Sequence, residues 1–253
     1  MTGTATPIGA AAGAGRATAV DAGPPGDHAA AAGDGRSPSL SRSIYATVRE
    51  RIILGQYPQG SRLPEARIGE ELHVSRVPLR EAVPLLERDG FVHTFPRRGA
   101  VVASWDGKAI DDLFDVRLAL EVGAARHAAR RAALGRSLDP LDAALAASQR
   151  AVTAGDAYGI ACASTAYHEA VVAVAANDLL LRMMRTISGR ITWLFYLSSG
   201  LPADDALTEH VALRDAIASG NERLAESVAY AHIEHDRRPT FAAMGMAADV
   251  VRP

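Results

Sequence analysis

Residues 74–93, VSRVPLREAVPLLERDGFVH, decide the fold, because they combine a helix start, a helix with one apolar stripe and the entry to a hairpin. Ser75 is a residue type favoured at a helix N-cap, and Pro78 falls in the first turn, where a missing backbone N–H leaves no bond unmade. Leu79, Val83 and Leu86 recur at helical spacing and predict a core-facing stripe, which turns Arg76 and Arg80 together onto the outward face. Pro84, later in the same helix, removes the bond to the Arg80 carbonyl and predicts a kink. Asp89-Gly90 is a helix stop. Phe91-Val92 and Ala100-Val101-Val102 then flank Pro96-Arg97-Arg98-Gly99, the pattern of a short hairpin with a basic tip. Upstream, Ile44, Val48, Ile52 and Ile53 mark a first amphipathic helix, and residues 63–72 predict a second, joined to the third by a tight turn at His73-Val74. Three helices followed by a hairpin make a winged helix-turn-helix.

Charge concentrates in the same segment. Residues 41–105 carry ten Arg and no Lys against seven acidic residues, whereas residues 106–253 carry 15 basic and 19 acidic residues. The whole chain is nearly neutral at −2, which argues for one local basic face and against coating a polyanion through bulk charge. A solvated helix face that pairs Arg76 or Arg80 with Glu81 or Glu87 is the plainer alternative. The second basic cluster, Arg97 and Arg98 on the hairpin, weighs against it.

The run PQGSRLPEARIGEELHVSRVPLREAVPLLERDGFVHTFPRRGAVV resembles the DNA-binding domain of the GntR superfamily of bacterial transcription regulators. The likeness covers residues 40–104 without a gap. It implies that arginines of the second helix and the recognition helix contact bases and phosphates while the wing enters the minor groove. Arg76, Arg80 and Gly99 stand on matching positions, and the implied DNA-contacting set is Arg62, Arg67, Ser75, Arg76, Arg80, Arg97, Arg98 and Gly99. The second helix departs from the family. Its usual Glu-Arg-Glu-Leu is Glu65-Ala66-Arg67-Ile68 here, which moves the guanidinium one position around the helix. The usual turn glycine is His73 and the usual threonine before the proline is Val77.

Outside this segment, residues 1–39 are rich in Ala, Gly and Pro with no apolar period, and are expected to form a disordered arm. They have no signal-peptide pattern, and no segment is long and apolar enough to span a bilayer, so a soluble, cytoplasmic chain is expected. Cys162 is the only cysteine, which excludes an intrachain disulfide and a cysteine metal cluster and predicts a small buried apolar group. From 105 to 238, helical periods are punctuated by turn signals at Gly135, Asp139-Pro140, Gly155-Asp156, Asn177-Asp178, Ser199 to Pro202 and Gly220-Asn221. Six helices follow, spanning 107–133, 138–154, 156–175, 178–198, 203–219 and 221–238, with residues 239–253 as a flexible tail. Short connections between them give a mainly antiparallel helical bundle, so the fold class is mainly α.

His168, His210 and His232 fall on three different bundle helices, where convergence would outline a metal site and dispersal would leave three ordinary histidines. DLFDVRLALEVGAARHAAR, STAYHEAVVAVAANDLLLRMM and EHVALRDAIASGNERLAESVAYAH resemble the effector-binding FCD domain of the FadR-type branch of that superfamily. In metal-binding members the implied ligands are an Asp, a His four residues later, a His in a Glu-His pair and a His 22 residues beyond it. His168, Glu209-His210 and His232 match, but Ser164 stands where the Asp is expected. Two arrangements are open: the histidines hold a divalent metal such as Zn²⁺, Ni²⁺ or Mn²⁺, or the site is metal-free and lines an organic-ligand pocket. Arg117 matches an arginine thought to face that pocket, and with Ser164 it is the expected effector-binding pair for a small carboxylate. A plain salt bridge to Glu121 explains Arg117 equally well.

An enzyme is the reading from another class. Ser164 and His168 share a helix face, but no Gly-x-Ser-x-Gly turn is present, and His168-Glu169 is followed by Val172 where a His-Glu-x-x-His metal hydrolase needs its second histidine. The expectation is therefore a homodimeric regulator, not an enzyme, that binds a pseudo-palindromic operator in double-stranded DNA and responds to a small effector.

Overall fold

The computed structural model describes residues Leu40–Met246; the expected arm at 1–39 and the end of the expected tail, 247–253, lie outside the described residues. Helix α1 (Leu40–Ile53) buries Ile44, Val48, Ile52 and Ile53, and α3 (Arg76–Arg88) buries Leu79, Ala82 and Leu86 against it. Between them α2 (Glu65–Glu71) contributes Ile68 to the same core. The turn from α2 to α3 needs a left-handed residue, and His73 takes that conformation at φ +52°. The start of α2 differs from the residue 63 that apolar spacing predicts. Leu63 instead donates its N–H to the Ala100 carbonyl at 2.8 Å, alongside the Arg62–Val101 bridge, so its backbone is committed to the wing. Strands β1 (Val92–Phe95) and β2 (Gly99–Val102) pair antiparallel, with Val92 opposite Val102 and Phe95 opposite Gly99. Glu87 fastens the wing to α3 by accepting from the Thr94 N–H at 2.7 Å and its hydroxyl at 3.0 Å. Helix α3 runs on through the exposed Pro84 as a single element.

The bundle follows as α4 (Gly107–Arg117), α5 (Gly123–Ala133), α6 (Asp139–Ala154), α7 (Ala157–Val174), α8 (Asp178–Leu197), α9 (Ala203–Ala218) and α10 (Glu222–Ala243). Apolar period predicts one unbroken helix over 107–133, but Leu118–Val122 forms a π-helical turn between α4 and α5. Such turns recur at functional sites, because they re-aim the side chains that flank them. On α5, Ala124, Ala125, Ala128 and Ala129 are all buried, and these small residues let α7, α9 and α10 pack closely around it. Helix α10 also outruns its predicted end at 238. Pro239 lies inside it, while Thr240 and Phe241 are buried and Phe241 packs at the Gly107 end of α4. Arg237 ties the same turn to Asp111 and to Asp115, the latter at 2.7 Å. Burial of an aromatic ring and this ion cluster offset the backbone bond that Pro239 cannot make. Cys162 is half-buried rather than fully enclosed.

An aromatic joint connects the winged helix to the bundle. Phe91 stacks on Trp193 of α8 with centroids 5.5 Å apart, Trp105 meets the same indole edge-on at 5.7 Å, and the Arg190 guanidinium lies 4.4 Å above the Trp105 ring. Gly189 makes room for this stack, since a Cβ there would sit 2.9 Å from the Phe91 ring. Phe91→Ala is expected to lower stability by about 3–5 kcal/mol through lost burial and the cavity left behind. Urea unfolding followed by circular dichroism measures this; a loss below about 1 kcal/mol would show that the joint is not a closely packed core.

Candidate nucleic-acid interface and imidazole centre

The predicted basic face is assembled from four separate segments of chain. Arg76 and Arg80 are exposed on α3, and together with Arg62 and Arg67 they line one depression whose floor includes Leu79 and whose rim includes Glu65. Gly99 brings the wing to the same place. Its φ is +73°, and a Cβ there would lie 3.5 Å from Arg62 Nη2 and 3.6 Å from Glu65 Oε1, so a side chain would be strained in backbone and crowded against Arg62. Arg97, at φ +63°, and Arg98 are exposed at the wing tip. Among the described residues Arg76, Arg80, Arg97 and Arg98 have no ion-pair partner, and Glu87, one of the acids considered for Arg76 or Arg80, is occupied by Thr94. Arg67 differs: it pairs with Glu71 at 3.0 Å and lies over the Tyr57 ring at 5.8 Å. The shift of this arginine around α2 thus gives it an intramolecular partner. Ser75 occupies the N-cap position of α3 in extended backbone but makes no capping hydrogen bond, which leaves its hydroxyl outward and available.

Inside the bundle the three sequence-separated histidines do converge. Ring centroids of His168 (α7), His210 (α9) and His232 (α10) are 5.0–5.3 Å apart, all three residues are buried, and one nitrogen from each lies within 4.8 Å of the others. Two of the rings are oriented by carboxylates. His168 Nδ1 is 2.6 Å from Glu121 Oε2, and His232 Nδ1 is 2.6 Å from Glu209 Oε2. A ring that donates Nδ1–H to a carboxylate presents Nε2 as a lone pair, the form that a divalent metal binds. His232 Nε2 and His210 Nε2 have no hydrogen-bond partner among the described residues, although both are buried. His210 is also clamped from behind: its ring stacks on Tyr167 at 4.1 Å, and the Tyr167 hydroxyl donates to the His210 carbonyl at 2.8 Å. The donor set therefore fits a first-row divalent ion.

Of the two sequence readings of Arg117, the salt bridge to Glu121 is present, and the guanidinium also reaches an imidazole. Its Nε donates to Glu121 Oε1 at 2.9 Å, and its Nη2 lies 3.2 Å from His168 Nε2. Burial pushes the Glu121 carboxyl up, but the neighbouring Arg117 guanidinium and the hydrogen-bonding His168 ring outweigh that and hold it down at about 2. Burial lowers the pKa of His168 despite the opposing Glu121, and it lowers His210 well below the usual range, with His168, His232 and Arg117 adding to the effect. These two imidazoles are therefore neutral at pH 7, as metal ligation requires. The resemblance pointed to the histidines and Arg117; it gave no sign that Glu121 and Glu209 orient the rings, because such partners are chosen by the π turn and by helix packing.

A cavity of about 160 Å³ opens beside His210. Ser164 lines it, as do Ser148, Ser198, Ser199, Thr240, Glu209 and Asp236, with Phe195 and Leu207 supplying apolar wall. Arg117 does not reach this lining; it lies behind the imidazoles, fully enclosed.

Comparison with known proteins agrees with this division of the chain. Residues 40–102 match the family described as bacterial regulatory proteins, gntR family, and residues 112–235 match the FCD domain. A protein of Paenarthrobacter nicotinovorans designated a probable D-xylose utilization operon transcriptional repressor is 31% identical over 206 residues, covering 79% of this chain and 90% of that one. The Nta operon transcriptional regulator of Aminobacter aminovorans is 28% identical, with 69% and 82% covered. A solved structure assigned as a GntR transcriptional regulator of Rhodococcus sp. RHA1 superposes with a TM-score of 0.70 at 23% identity, covering 81% of this chain and 99% of that one, and so shares the fold.

Glu121→Gln leaves the buried Arg117 charge without its counter-ion and is expected to cost about 3–5 kcal/mol at pH 7. Because the folded-state pKa is depressed, this contribution is complete above the unfolded carboxyl's range and is lost as pH falls toward about 2. Urea titrations at pH 7 and pH 3.5 should therefore show a smaller gap between wild type and variant at the lower pH. An equal gap at both would contradict an ionised Glu121.

Proposed function

The chain belongs to the GntR family of bacterial regulatory proteins, with an FCD domain behind its winged helix, and from that premise we propose a one-component switch in which a buried divalent metal and a small ligand set the affinity for operator DNA. DNA binding and transcriptional regulation come with the family, and its relatives are regulators rather than enzymes. No helix among the described residues is long and apolar enough to cross a membrane. The finer reading is carried by one observation: three buried imidazoles, two of them held by carboxylates, bring one nitrogen each to within 4.8 Å of the others. When bound there, a divalent ion such as Zn²⁺, Ni²⁺ or Mn²⁺ would supply positive charge and open coordination positions toward the cavity beside His210.

The cavity walls include Asp205, Glu209 and Asp236, so without a metal its charge opposes an anion. A small carboxylate effector consequently depends on the metal, because Arg117 lies outside the cavity lining with its charge paired to Glu121. A sugar-like effector is a second reading, favoured by the five hydroxyl side chains of Ser148, Ser164, Ser198, Ser199 and Thr240 around the cavity. That reading also suits the D-xylose operon relative. Two copies of the winged helix on a pseudo-palindromic operator give the functional unit as a homodimer, for which exposed Leu134, Leu179 and Met183 provide apolar surface. A ligand that favours one arrangement of the two winged helices over another changes their fit to the half-sites.

Arg76→Ala and Arg80→Ala should each cost about 1–3 kcal/mol of operator binding if the guanidinium reads a guanine edge bidentately, with relaxed preference at one base pair. Fluorescence anisotropy on operator and scrambled duplexes reads both effects, and unchanged discrimination in the double variant would remove these residues from the recognition surface. For the ligand site, calorimetry with a panel of aliphatic carboxylates is expected to show binding only after Zn²⁺ is added to chelator-treated protein. Binding of equal strength without metal would favour an organic pocket lined by the histidines.

A further inference from the structure

Val77, the second residue of α3, is 66% exposed. Single apolar residues are ordinary on a protein surface, but this one stands among Arg76, Arg80 and Glu81, which together with it are the exposed residues in the first two turns of the helix. At about 100° per residue, Val77 lies about 200° around the helix from the buried Leu79 and about 60° from Arg80, one turn on. Its side chain therefore points away from the core on the side of the two guanidiniums. The depression formed by Arg62, Arg67, Arg76 and Arg80 does not include Val77, which places its methyl groups on the outward ridge of α3 beside them.

A winged helix-turn-helix lays its recognition helix in the major groove with the N-terminal residues against the base edges. Arg76 and Arg80 can donate hydrogen bonds there and Glu81 can accept them; the Val77 side chain can do neither. Among the four standard bases, the one apolar group on a major-groove edge is the C5-methyl of thymine. Branching at Cβ holds valine in essentially one rotamer within a helix, so its methyl groups are fixed before contact and little side-chain freedom is lost on docking. Contact with a thymine methyl removes apolar surface from water on both sides. Cytosine at the same place presents an N4 amine, a donor that valine leaves unpaired.

From this exposure and position we propose that Val77 is a specificity-determining residue of the recognition helix, reading a thymine methyl group by apolar contact while Arg76 and Arg80 supply the polar contacts. The operator then carries a thymine at the step facing the N-terminus of α3, and exchanging its methyl for hydrogen weakens binding with no hydrogen-bonding group altered.

The test uses full-length protein to select its binding sites from a randomised duplex pool; each thymine of the selected duplex is then replaced in turn by deoxyuridine, which lacks only the methyl group. Fluorescence anisotropy with wild type should show at least one position where the replacement weakens binding about four-fold, the worth of one buried methyl-sized group. Val77→Ser and Val77→Ala should each bind the thymine and deoxyuridine duplexes alike at that position, with the remaining thymines of the site as internal references. The deoxyuridine scan itself needs no variant, and two substitutions keep the assignment testable if one folds poorly. Uniform tolerance of deoxyuridine by wild type, or a thymine preference that survives undiminished in Val77→Ser and Val77→Ala, would overturn the role of Val77 while leaving DNA binding standing. Failure to enrich any duplex from the pool would overturn sequence-specific binding itself, and this proposal with it.

Discussion

Glu121 is the residue on which the interior of the bundle depends. It sits in the π turn between α4 and α5, fully enclosed, and its two oxygens divide between the Arg117 guanidinium and the His168 imidazole at 2.9 and 2.6 Å. Burying a guanidinium alone would be prohibitive, and burying an imidazole without a fixed tautomer would leave its lone pair undirected. One carboxylate solves both problems. It neutralises Arg117, and by accepting from His168 Nδ1–H it leaves Nε2, 3.2 Å from Arg117 Nη2, as the acceptor nitrogen of the ring. Glu209 repeats the device on His232, so that two of three rings are set before any ligand arrives.

Preset donors bear on how such a centre would communicate with DNA. The three histidines come from α7, α9 and α10, and Arg117 ends α4. A ligand bound among them therefore fixes the mutual placement of four helices rather than one. Helix α8, packed against α7, carries Gly189 and Trp193 into the aromatic joint with Phe91 at the foot of the wing. The joint is tightly packed, and closely packed interfaces shift between discrete arrangements rather than deform smoothly. On the proposed switch, this packing is the route by which occupancy of the bundle would bias the winged helix.

The winged helix was legible in the sequence because its signals are local: apolar stripes, the Asp89-Gly90 stop and the basic hairpin tip each sit within a few residues of what they determine. Resemblance placed His168, His210 and His232 in one site, which spacing alone left undecided. What escaped prediction is set by tertiary contact. Leu63 leaves α2 because Ala100 accepts its N–H, the π turn forms where Arg117 and Glu121 must both face inward, and α10 continues past Pro239 because Phe241 and Arg237 anchor it to α4.

Elemental analysis of protein purified without chelator and without a metal-affinity column tests the central claim most directly, with His210→Ala prepared in parallel. A site built from three converging imidazoles, two of them oriented by carboxylates, should retain close to one equivalent of a divalent transition metal per chain in the wild type and lose it in the variant. Trace metal at the same level in both proteins would contradict the account and leave the histidines as lining groups of an organic pocket.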